Sequence, residues 1–374
     1  MIDLDEQNRI IEIDKSNQLQ ILEKWSSLFK EARENSLKTV IPEKIHWKDK
    51  SIKYVEPSNI VVCGMRGSAI AGDYLSSLLK NELKIPILVN RDYYLPAFSN
   101  SSTLIICVSY SGNTEETLSC FKDALTKGTM IITISSGGLL EKLSKKSSVP
   151  HIKIREGIPP RTGLPLIYTS LLTILEKFKL IEDMSNDFEE TEKILAELSV
   201  EYSPEKKTEG NFAKKIAYGL YNKLPLFVGH TIYSPVSYRA KSELNENSKI
   251  MAISEEVPEQ NHNGIVVWDN PNIVLNNVAV ILIRDKKEPN PIKVRMEQLK
   301  KIIEQKTEKV LELYPKGESK LTKQISLTYL IDITSIYLAV LYEVDPSITP
   351  SIDKLKEVLR KKINLQETIE KELK

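Results

Sequence analysis

The chain has 374 residues, which at roughly 150 residues per domain is enough for two or three domains with a sizeable buried core. Hydrophobic residues make up 41% and charged residues 28%, a balance that excludes a chain disordered throughout. The 52 Lys and Arg residues nearly match the 51 Asp and Glu residues, so no positive surplus remains for a nucleic acid backbone, and a DNA- or RNA-binding protein is disfavoured.

Neither export nor membrane insertion is expected. Residues 1–17 alternate acidic and apolar side chains and lack the basic end and apolar stretch of a secretory signal. The longest uncharged apolar stretch, residues 162–175, is shorter than the roughly 20 residues of a membrane-spanning helix. Cys63, Cys107 and Cys120 cannot all pair with one another, which is typical of a reducing compartment. We therefore predict a cytoplasmic protein without a membrane span.

Residues 10–38 place apolar side chains at helical spacing on a charged background, which predicts an amphipathic leading helix. Short β-branched runs follow, separated by helix-like segments, at residues 60–63, 85–89, 104–108 and 130–134. A second series of such runs lies at residues 224–228, 250–253, 265–267 and 278–283. This alternation predicts two α/β units, each with a parallel sheet and crossover helices. A structural duplication stays open, because no short-period sequence repeat is visible.

The domain boundary is placed where the composition changes. Residues 181–209 are rich in Asp, Glu, Lys and Ser, with Pro204 near their end, which predicts a helical, charged connector. We therefore expect an N-terminal domain at residues 1–180, including the leading helix, and a C-terminal domain at residues 210–374. Residues 292–374 are rich in Lys and Glu with apolar residues at helical spacing, and they are expected to be mostly helical.

The first predicted strand runs into a glycine-rich segment, residues 64–73, which we call the glycine turn. Glycines permit a tight bend, and the helix that follows offers free N–H groups to an anion. The glycine spacing matches neither the dinucleotide fingerprint nor the lysine-containing nucleotide loop, so a purely structural turn is the alternative.

The third predicted strand ends in a turn rich in hydroxyl groups, residues 109–114, which we call the hydroxyl loop. Ser109, Ser111 and Thr114 supply the hydroxyls, just where a helix begins with exposed N–H donors. Gly112 lets the chain bend, so hydroxyls and main-chain amides can cradle a phosphate without a lysine. The alternative is an ordinary helix cap formed by Thr114 and Thr117. Both turns follow neighbouring strands of one predicted sheet, which indicates a shared crevice.

Taken together, the motifs resemble those of the bifunctional phosphoglucose/phosphomannose isomerases, a family with two sugar isomerase (SIS) domains. Residues 109–117 (SYSGNTEET) are similar to the family's phosphate loop, and residues 64–73 to its first glycine loop. Pro159-Pro160-Arg161 resembles its arginine-bearing motif. The most specific similarity is residues 245–249 (NENSK) followed by residues 258–263 (PEQNHN). The motifs occur in family order over most of the chain.

The resemblance implies an aldose–ketose isomerase. Such chemistry needs a carboxylate base, a cation for the charge that develops on oxygen, and an acid/base that opens the sugar ring. The resemblance gives these roles to Glu246, Arg161 and His262, respectively. From the residues alone, a solvated or structural role is the more usual explanation for each of them, although the near-neutral titration of histidine suits proton transfer.

The resemblance also implies the groups that contact the sugar phosphate. The phosphate-holding residues would be Gly67 and Ser68 of the glycine turn and Ser109, Ser111 and Thr114 of the hydroxyl loop. Residues 349–356 resemble the family's closing segment, which supplies a threonine hydroxyl and a lysine to the sugar. Thr349 and Lys356 fit these roles about two helical turns apart, with Lys354 as the alternative lysine.

Three positions depart from the family pattern. Arg66 stands where the family usually has glycine, and Ala71 replaces another glycine. We therefore expect altered backbone angles in the glycine turn, which would change the position of Ser68. Gly264 stands after the histidine motif where the family often has an acidic residue, which would change how His262 is oriented.

We therefore expect an α/β fold of two SIS-type parallel-sheet sandwich domains with C-terminal helices. The expected enzyme interconverts glucose 6-phosphate, and also mannose 6-phosphate, with fructose 6-phosphate through an enediol(ate), in glycolysis or gluconeogenesis. No metal ion, nucleotide or other cofactor is implied. The resemblance further implies a homodimer whose active site takes His262 from the neighbouring subunit. Two alternatives stay open: an isomerase of another (amino) sugar phosphate, and a non-catalytic sugar-phosphate-binding regulator without a working base.

Overall fold

A computed structural model describes residues 2–270, 274–307 and 309–373 of the chain. The strands, in chain order, are β1 (Lys44–Trp47), β2 (Lys50–Lys53), β3 (Asn59–Cys63), β4 (Ile87–Asn90), β5 (Thr103–Val108), β6 (Met130–Ser135), β7 (His151–Lys153), β8 (Leu224–His230), β9 (Ile253–Val257), β10 (Val278–Ile283) and β11 (Val310–Leu313). The α-helices, in chain order, are α1 (Gln7–Ile13), α2 (Gln18–Glu23), α3 (Trp25–Lys38), α4 (Gly67–Leu79), α5 (Glu115–Lys127), α6 (Gly138–Lys146), α7 (Leu164–Lys177), α8 (Ser185–Glu201), α9 (Phe212–Leu220), α10 (Ser234–Glu243), α11 (Asn290–Ile303), α12 (Lys320–Leu341), α13 (Pro350–Lys362) and α14 (Leu365–Glu372).

The first sheet has five described strands in the order β4-β3-β5-β6-β7, and every neighbouring pair is parallel. Every residue of β5 and of β6 is buried, as expected for continuous apolar runs in a sheet covered on both faces. The predicted parallel sheet with crossover helices is confirmed. The chain moves from β3 outward to β4 and then crosses to β5 on the other side of β3, which makes the β3–β5 gap a topological switch point.

The second sheet has four described strands in the order β11-β10-β8-β9, again all parallel. By chain order, β8, β9, β10 and β11 take the places that β3, β4, β5 and β6 take in the first sheet. The duplication left open by the sequence is therefore present at the level of strand order. The predicted strands at residues 224–228 and 278–283 are confirmed as β8 and β10.

One predicted strand of the second series is wrong, and another is shifted along the chain. Residues 265–267 belong to a 3-10 helix, Gly264–Asp269. Ile265 and Trp268, three residues apart, pack against the core while Val266 and Val267 between them are exposed. The strand predicted at residues 250–253 begins only at Ile253 and continues to Val257. The predicted residues do not form a buried apolar run, because the side chain of Met251 is 75% exposed.

The N-terminal segment is broken into three helices, α1, α2 and α3, where the sequence predicted one. Asp14 ends the first helix and is itself buried; its carboxylate accepts hydrogen bonds from the main-chain N–H groups of Gln18 and Leu19. Asn17 takes a left-handed conformation (φ 51°) before α2 begins. The sequence analysis also missed the β1–β2 hairpin and the edge strands β7 and β11.

The chain divides into two compact units. The five-stranded unit comprises Ser27–Met184 and the chain from Thr349 onward, and the four-stranded unit comprises the chain up to Ser26 and Ser185–Ile348. This division differs from the sequence-based one, because α1, α2 and α8 lie in the four-stranded unit and α13 and α14 in the five-stranded unit. Apolar contacts explain why α14 belongs to the five-stranded unit. Ile369 and Leu373 are buried in the core that contains α5 residues.

The longest described helix, α12, forms the centre of the four-stranded unit. The helix has 22 residues, and a window of 18 of them has a mean hydropathy of 1.5, so α12 is long and apolar enough to cross a membrane. That window is, however, entirely buried inside the protein. Helices α8, α9 and α10 pack around it. The burial identifies α12 as a core helix.

Candidate active site

The hydroxyl loop follows β5 at the carboxyl end of the five-stranded sheet. Ser109 is buried, and its Oγ lies 2.8 Å from the hydroxyl of Thr114. The Thr114 N–H also faces Ser109 Oγ, at 3.4 Å, while Ser111 is exposed and accepts a hydrogen bond from the Asn113 N–H. Thr114 occupies the N-cap position of α5 without a side-chain capping bond, so an ordinary helix cap does not explain its hydroxyl.

The loop after β6 supports the hydroxyl loop from one side. Gly112 has φ 68°, and a Cβ atom there would lie 1.8 Å from the carbonyl oxygen of Gly137. The carbonyl of Gly112 accepts a hydrogen bond from the Leu140 N–H at 2.9 Å, and the Asn113 side-chain oxygen accepts one from the Leu139 N–H at 2.9 Å. Gly112 is thus required by close backbone contact as well as by its left-handed conformation.

Helix α14 also touches the hydroxyl loop. The side-chain amide of Gln366 donates to the main-chain carbonyl of Asn113 at 2.6 Å. The sequence analysis missed this contact, because the Lys/Glu-rich tail carries no motif at Gln366.

The glycine turn follows β3, the strand beside β5. Its departure from the family pattern has a clear structural outcome: Arg66 takes φ 51° and ψ −127°, a region that favours glycine. The arginine therefore occupies a backbone conformation typical of glycine, at a strain cost of about 1–3 kcal/mol. Ser68 is 7% exposed in the first turn of α4.

The arginine motif lies against the glycine turn. Arg161 is 7% exposed on a 3-10 helix, Pro160–Gly163. The Cβ direction of Gly67 points to the carbonyl oxygen of Pro160 at 3.5 Å and to Cα of Arg161 at 3.9 Å. A buried guanidinium is thus placed beside the turn that leads into α4.

Tyr110 joins the hydroxyl loop to the arginine motif, a function that the sequence analysis missed. Its hydroxyl accepts a hydrogen bond from the Ile158 N–H at 3.1 Å. A Cβ atom on Gly163 would lie 3.2 Å from ring carbons of Tyr110, so the glycine leaves room for the ring. Burial raises the pKa of Tyr110, which keeps its hydroxyl neutral. The sequence signal that could have revealed this role is an aromatic residue placed between two serines of a loop.

Glu246 lies in the four-stranded unit, on a π-helix, Leu244–Ser248, that continues α10. Its side chain is half-buried. Lys249 ends the π-helix in a left-handed conformation (φ 58°), and its ammonium group donates to the main-chain carbonyl of Glu246 at 2.7 Å.

His262 is exposed at the end of a short 3-10 helix, Glu259–His262, which follows the edge strand β9. The next residue, Asn263, donates from its side-chain amide to Glu259 at 2.9 Å. With Gly264 behind it, the segment offers no carboxylate at the family's acidic position.

Thr349 and Lys356 lie in the five-stranded unit, at the start and the middle of α13. Thr349 makes no side-chain capping bond to this helix, and Lys356 and the alternative Lys354 are both exposed. None of the thirteen residues of α13 is buried. Within the five-stranded unit, the structure thus brings together the glycine turn, the hydroxyl loop and Arg161. Across the described ranges, no three His, Cys, Asp or Glu side chains are grouped as metal ligands.

Comparison with known proteins finds relatives of similar sequence and solved structures of similar fold. The family described as bacterial phospho-glucose isomerase C-terminal SIS domain matches residues 209–359. The bifunctional phosphoglucose/phosphomannose isomerase of Caldicellulosiruptor bescii is 39% identical over 310 residues, covering 83% of this chain and 91% of that protein. Its counterpart from Aquifex aeolicus is 32% identical over 317 residues, covering 84% and 94%. A glucose-6-phosphate isomerase like protein from Thermus thermophilus has a similar structure, with a TM-score of 0.60, 19% identity, and coverage of 96% of this chain and 100% of that chain.

Proposed function

The chain belongs to the bifunctional phosphoglucose/phosphomannose isomerase family, and on that premise we propose that Glu246, Arg161 and His262 perform its chemistry. The protein is an aldose–ketose isomerase of glucose 6-phosphate and mannose 6-phosphate, each interconverted with fructose 6-phosphate. The observation that carries the site assignment is the junction of the glycine turn, the hydroxyl loop and buried Arg161 at the β3–β5 switch point.

The phosphate group binds at the hydroxyl loop. Ser109 and Thr114 hold their hydroxyls 2.8 Å apart beside the N-terminus of α5, where unpaired N–H groups and the helix dipole favour an anion. Ser111 at the exposed rim, with Gly67 and Ser68 across the switch point, completes this end of the site. Thr349 and Lys356 contact the sugar, as the family resemblance implies.

The isomerisation moves one proton between neighbouring carbons. His262 transfers a proton as the sugar ring opens, and Glu246 then removes the proton from C2 of the aldose. The electron pair left at C2 forms the C1–C2 double bond, and the negative charge collects on the C1 oxygen, where Arg161 stabilises it. Return of the proton to C1, with transfer of the hydroxyl proton from O2 to O1, gives the ketose. Glucose and mannose 6-phosphates differ only at C2, so both pass through the same enediol.

The active enzyme is a homodimer in which His262 serves the neighbouring subunit. His262 is exposed, and the segment after it presents Val266 and Val267 to solvent at 58% and 52% exposure. Helix α13 adds Leu355 and Ile363, the residue just after its end, at 59% and 57%. A second copy of the chain is the occupant that covers these apolar groups and brings a histidine to the base. The enzyme acts in the cytoplasm, in glycolysis or gluconeogenesis.

Purified protein assayed with each of the three sugar 6-phosphates tests the function. Both aldoses should be converted to fructose 6-phosphate, and Glu246→Gln should lower turnover by about 10²–10⁴-fold while substrate still binds. Continued exchange of the C2 proton with deuterated water at the wild-type rate in Glu246→Gln would exclude Glu246 as the base. Absence of turnover by the wild type on every substrate would instead favour the non-catalytic regulator.

Subunit mixing tests the shared site. His262→Ala and Glu246→Gln proteins are each expected to be inactive, whereas their heterodimer contains one site with an intact glutamate and an intact histidine. Activity should therefore return after dissociation and reassociation. Heterodimers that form but stay inactive would refute the shared arrangement.

A further inference from the structure

The candidate base stands on an uncommon piece of backbone. Helix α10 passes without interruption into the π-helix Leu244–Ser248, which contains Glu246. The π-helix is rarely found except as a single turn within or next to α-helices, frequently at functional sites. Because Glu246 is at the centre of this turn, its side-chain position depends on whatever holds the turn open.

A buried ionic cluster joins α12 to the two helical turns that precede Glu246. Arg239 donates from Nε to one carboxylate oxygen of Asp332 at 3.0 Å and from Nη2 to the other at 2.6 Å. The same guanidinium lies 3.1 Å from the carboxylate of Glu243. All three residues are at most 5% exposed, with Arg239 and Glu243 on α10 and Asp332 on α12.

Asn247 connects this cluster to the π-helix. Its side-chain amide donates to Glu243 at 3.0 Å and to the hydroxyl of Ser335, on α12, at 2.8 Å. Ser335 in turn donates to the main-chain carbonyl of Asp332 at 2.6 Å. Ser248, the last residue of the turn, donates to the carbonyl of Ser335 at 2.7 Å. The residues on the C-terminal side of Glu246 are thereby fixed to α12.

The opposite side of the turn is held by Lys249. Its ammonium group donates to the carbonyls of Glu246 and Asn247, at 2.7 and 3.2 Å, and to that of Asp345 at 2.9 Å. The carbonyl groups at the end of the turn, which lose their helical partners there, are satisfied in this way. Glu246 is thus bracketed by a buried side and an exposed side, each tied to a different part of the chain.

Fold stability does not by itself explain such a cluster, because a buried ion pair costs its own desolvation and gives little or no more stability than apolar residues of similar size. A fully hydrogen-bonded polar network does fix one geometry. We propose that Ser335, Asn247 and the Asp332–Arg239–Glu243 cluster are positioning residues that set the reach of Glu246 toward the substrate proton. The proposal rests on the proposed role of Glu246 as the base.

Ser335→Ala is the mildest perturbation of this network, because it removes a single hydroxyl group. That hydroxyl accepts a hydrogen bond from Asn247 and donates one to the main-chain carbonyl of Asp332. We expect kcat to fall roughly tenfold or more, because misplacing a base by an ångström is that costly, while KM changes by less than about threefold. The kinetic isotope effect with C2-deuterated substrate should rise, since proton abstraction becomes more strongly rate-limiting. Ser335→Thr keeps a hydroxyl and should restore most of kcat.

The neighbouring Thr334→Val is the matched control. Thr334 is also buried on α12, and its hydroxyl donates along its own helix, to the Leu330 carbonyl at 2.7 Å. It should keep wild-type kcat and isotope effect even if unfolding in urea shows the same loss of stability. Asp332→Asn provides a second variant with the same expected kinetic pattern as Ser335→Ala.

The proposal is overturned if Ser335→Ala keeps wild-type kcat and isotope effect, or if Ser335→Ala and Thr334→Val lose activity equally. A fully active Glu246→Gln would overturn the role of the base itself, and so separates failure of the proposed function from failure of this inference.

Discussion

Gly112 is the residue on which the geometry of the hydroxyl loop depends most, and Gly112→Ala is therefore the sharpest perturbation of that loop. The residue has φ 68°, and an added Cβ would lie 1.8 Å from the Gly137 carbonyl oxygen, where real Cβ atoms essentially never come closer than 3.0 Å. The group it would strike is backbone, so no side chain can rotate away. The loop and the Gly137 segment must separate by more than an ångström.

The expected effect of Gly112→Ala has two parts, a loss of stability and a loss of function. A left-handed alanine costs roughly 1–2 kcal/mol of stability wherever it occurs. The separation adds a functional loss, because Ser109 and Thr114 no longer meet at hydrogen-bond distance around the phosphate. Hydrogen bonds to a charged group contribute roughly 1.5–3 kcal/mol each, so losing one or both lowers kcat/KM by roughly 10–10⁴-fold.

Gly128→Ala separates the two parts. Gly128 has nearly the same conformation, φ 69°, but its added Cβ meets only the side chain of Lys50, at an ordinary 3.4 Å. It lies at the far end of α5, so it should share the loss of stability in urea unfolding and keep wild-type kcat/KM for fructose 6-phosphate. If Gly112→Ala also kept wild-type kcat/KM, the hydroxyl loop would not hold the phosphate.

Two further predictions concern the five-stranded unit. Tyr110→Phe removes the acceptor of the Ile158 N–H and loosens the arginine motif, so kcat/KM should fall roughly twofold to tenfold; an unchanged value would contradict the link. Burial lowers the pKa of His151 to about 4 from 6.5, so the unfolded chain binds the extra proton between these values. Stability is full above pH 6.5 and falls toward pH 4, by up to about 3 kcal/mol, and His151→Gln should remove this part of the pH slope in urea unfolding.

The part of the candidate site at the carboxyl end of the five-stranded sheet was predictable, because its sequence signals are local. The run that became β5 is entirely buried, and the turn that follows it combines hydroxyls with a glycine. A buried strand and a bend of this kind need only neighbouring residues to be recognised. The strand order then places the turns after β3 and β5 side by side without further information.

The surroundings of Glu246 were not predictable in the same way. A π-helix differs from an α-helix by one residue in its hydrogen-bond spacing, and the pattern around Glu246 shows no such change in the sequence. The group that supports the turn, Asp332, is 93 residues from Arg239. Only the packing of α10 on α12 brings them together, so the sequence presented them as unrelated charged residues.

Short apolar runs gave a wrong prediction where a strand and a 3-10 helix have the same sequence pattern. Three consecutive apolar residues at 265–267 fit a short strand, but the buried residue of the segment is the next one, Trp268, which makes a 3-10 turn. The C-terminal tail shows the converse. Ile369 and Leu373, spaced by one helical turn, are enough to anchor α14 to the core of the five-stranded unit although the tail is rich in Lys and Glu.

The duplicated strand order makes β10 the equivalent of β5, yet the segment after β10 differs from the hydroxyl loop after β5. The first residue after β5 is Ser109, whereas the first residue after β10 is Arg284. The guanidinium of Arg284 is paired with Glu288 and Glu312. Asp285, the next residue, accepts a hydrogen bond from the hydroxyl of Tyr233 at 2.5 Å. The nearby cations are paired with these carboxylates: Arg284 with Glu288 and Glu312, Lys300 with Glu312, and Lys323 with Asp285. Their charges are therefore neutralised by carboxylates instead of being offered to a phosphate. The second sheet has therefore kept the fold while its loop has become a network of ion pairs, and the residues it gives to the proposed chemistry, Glu246 and His262, come after α10 and β9.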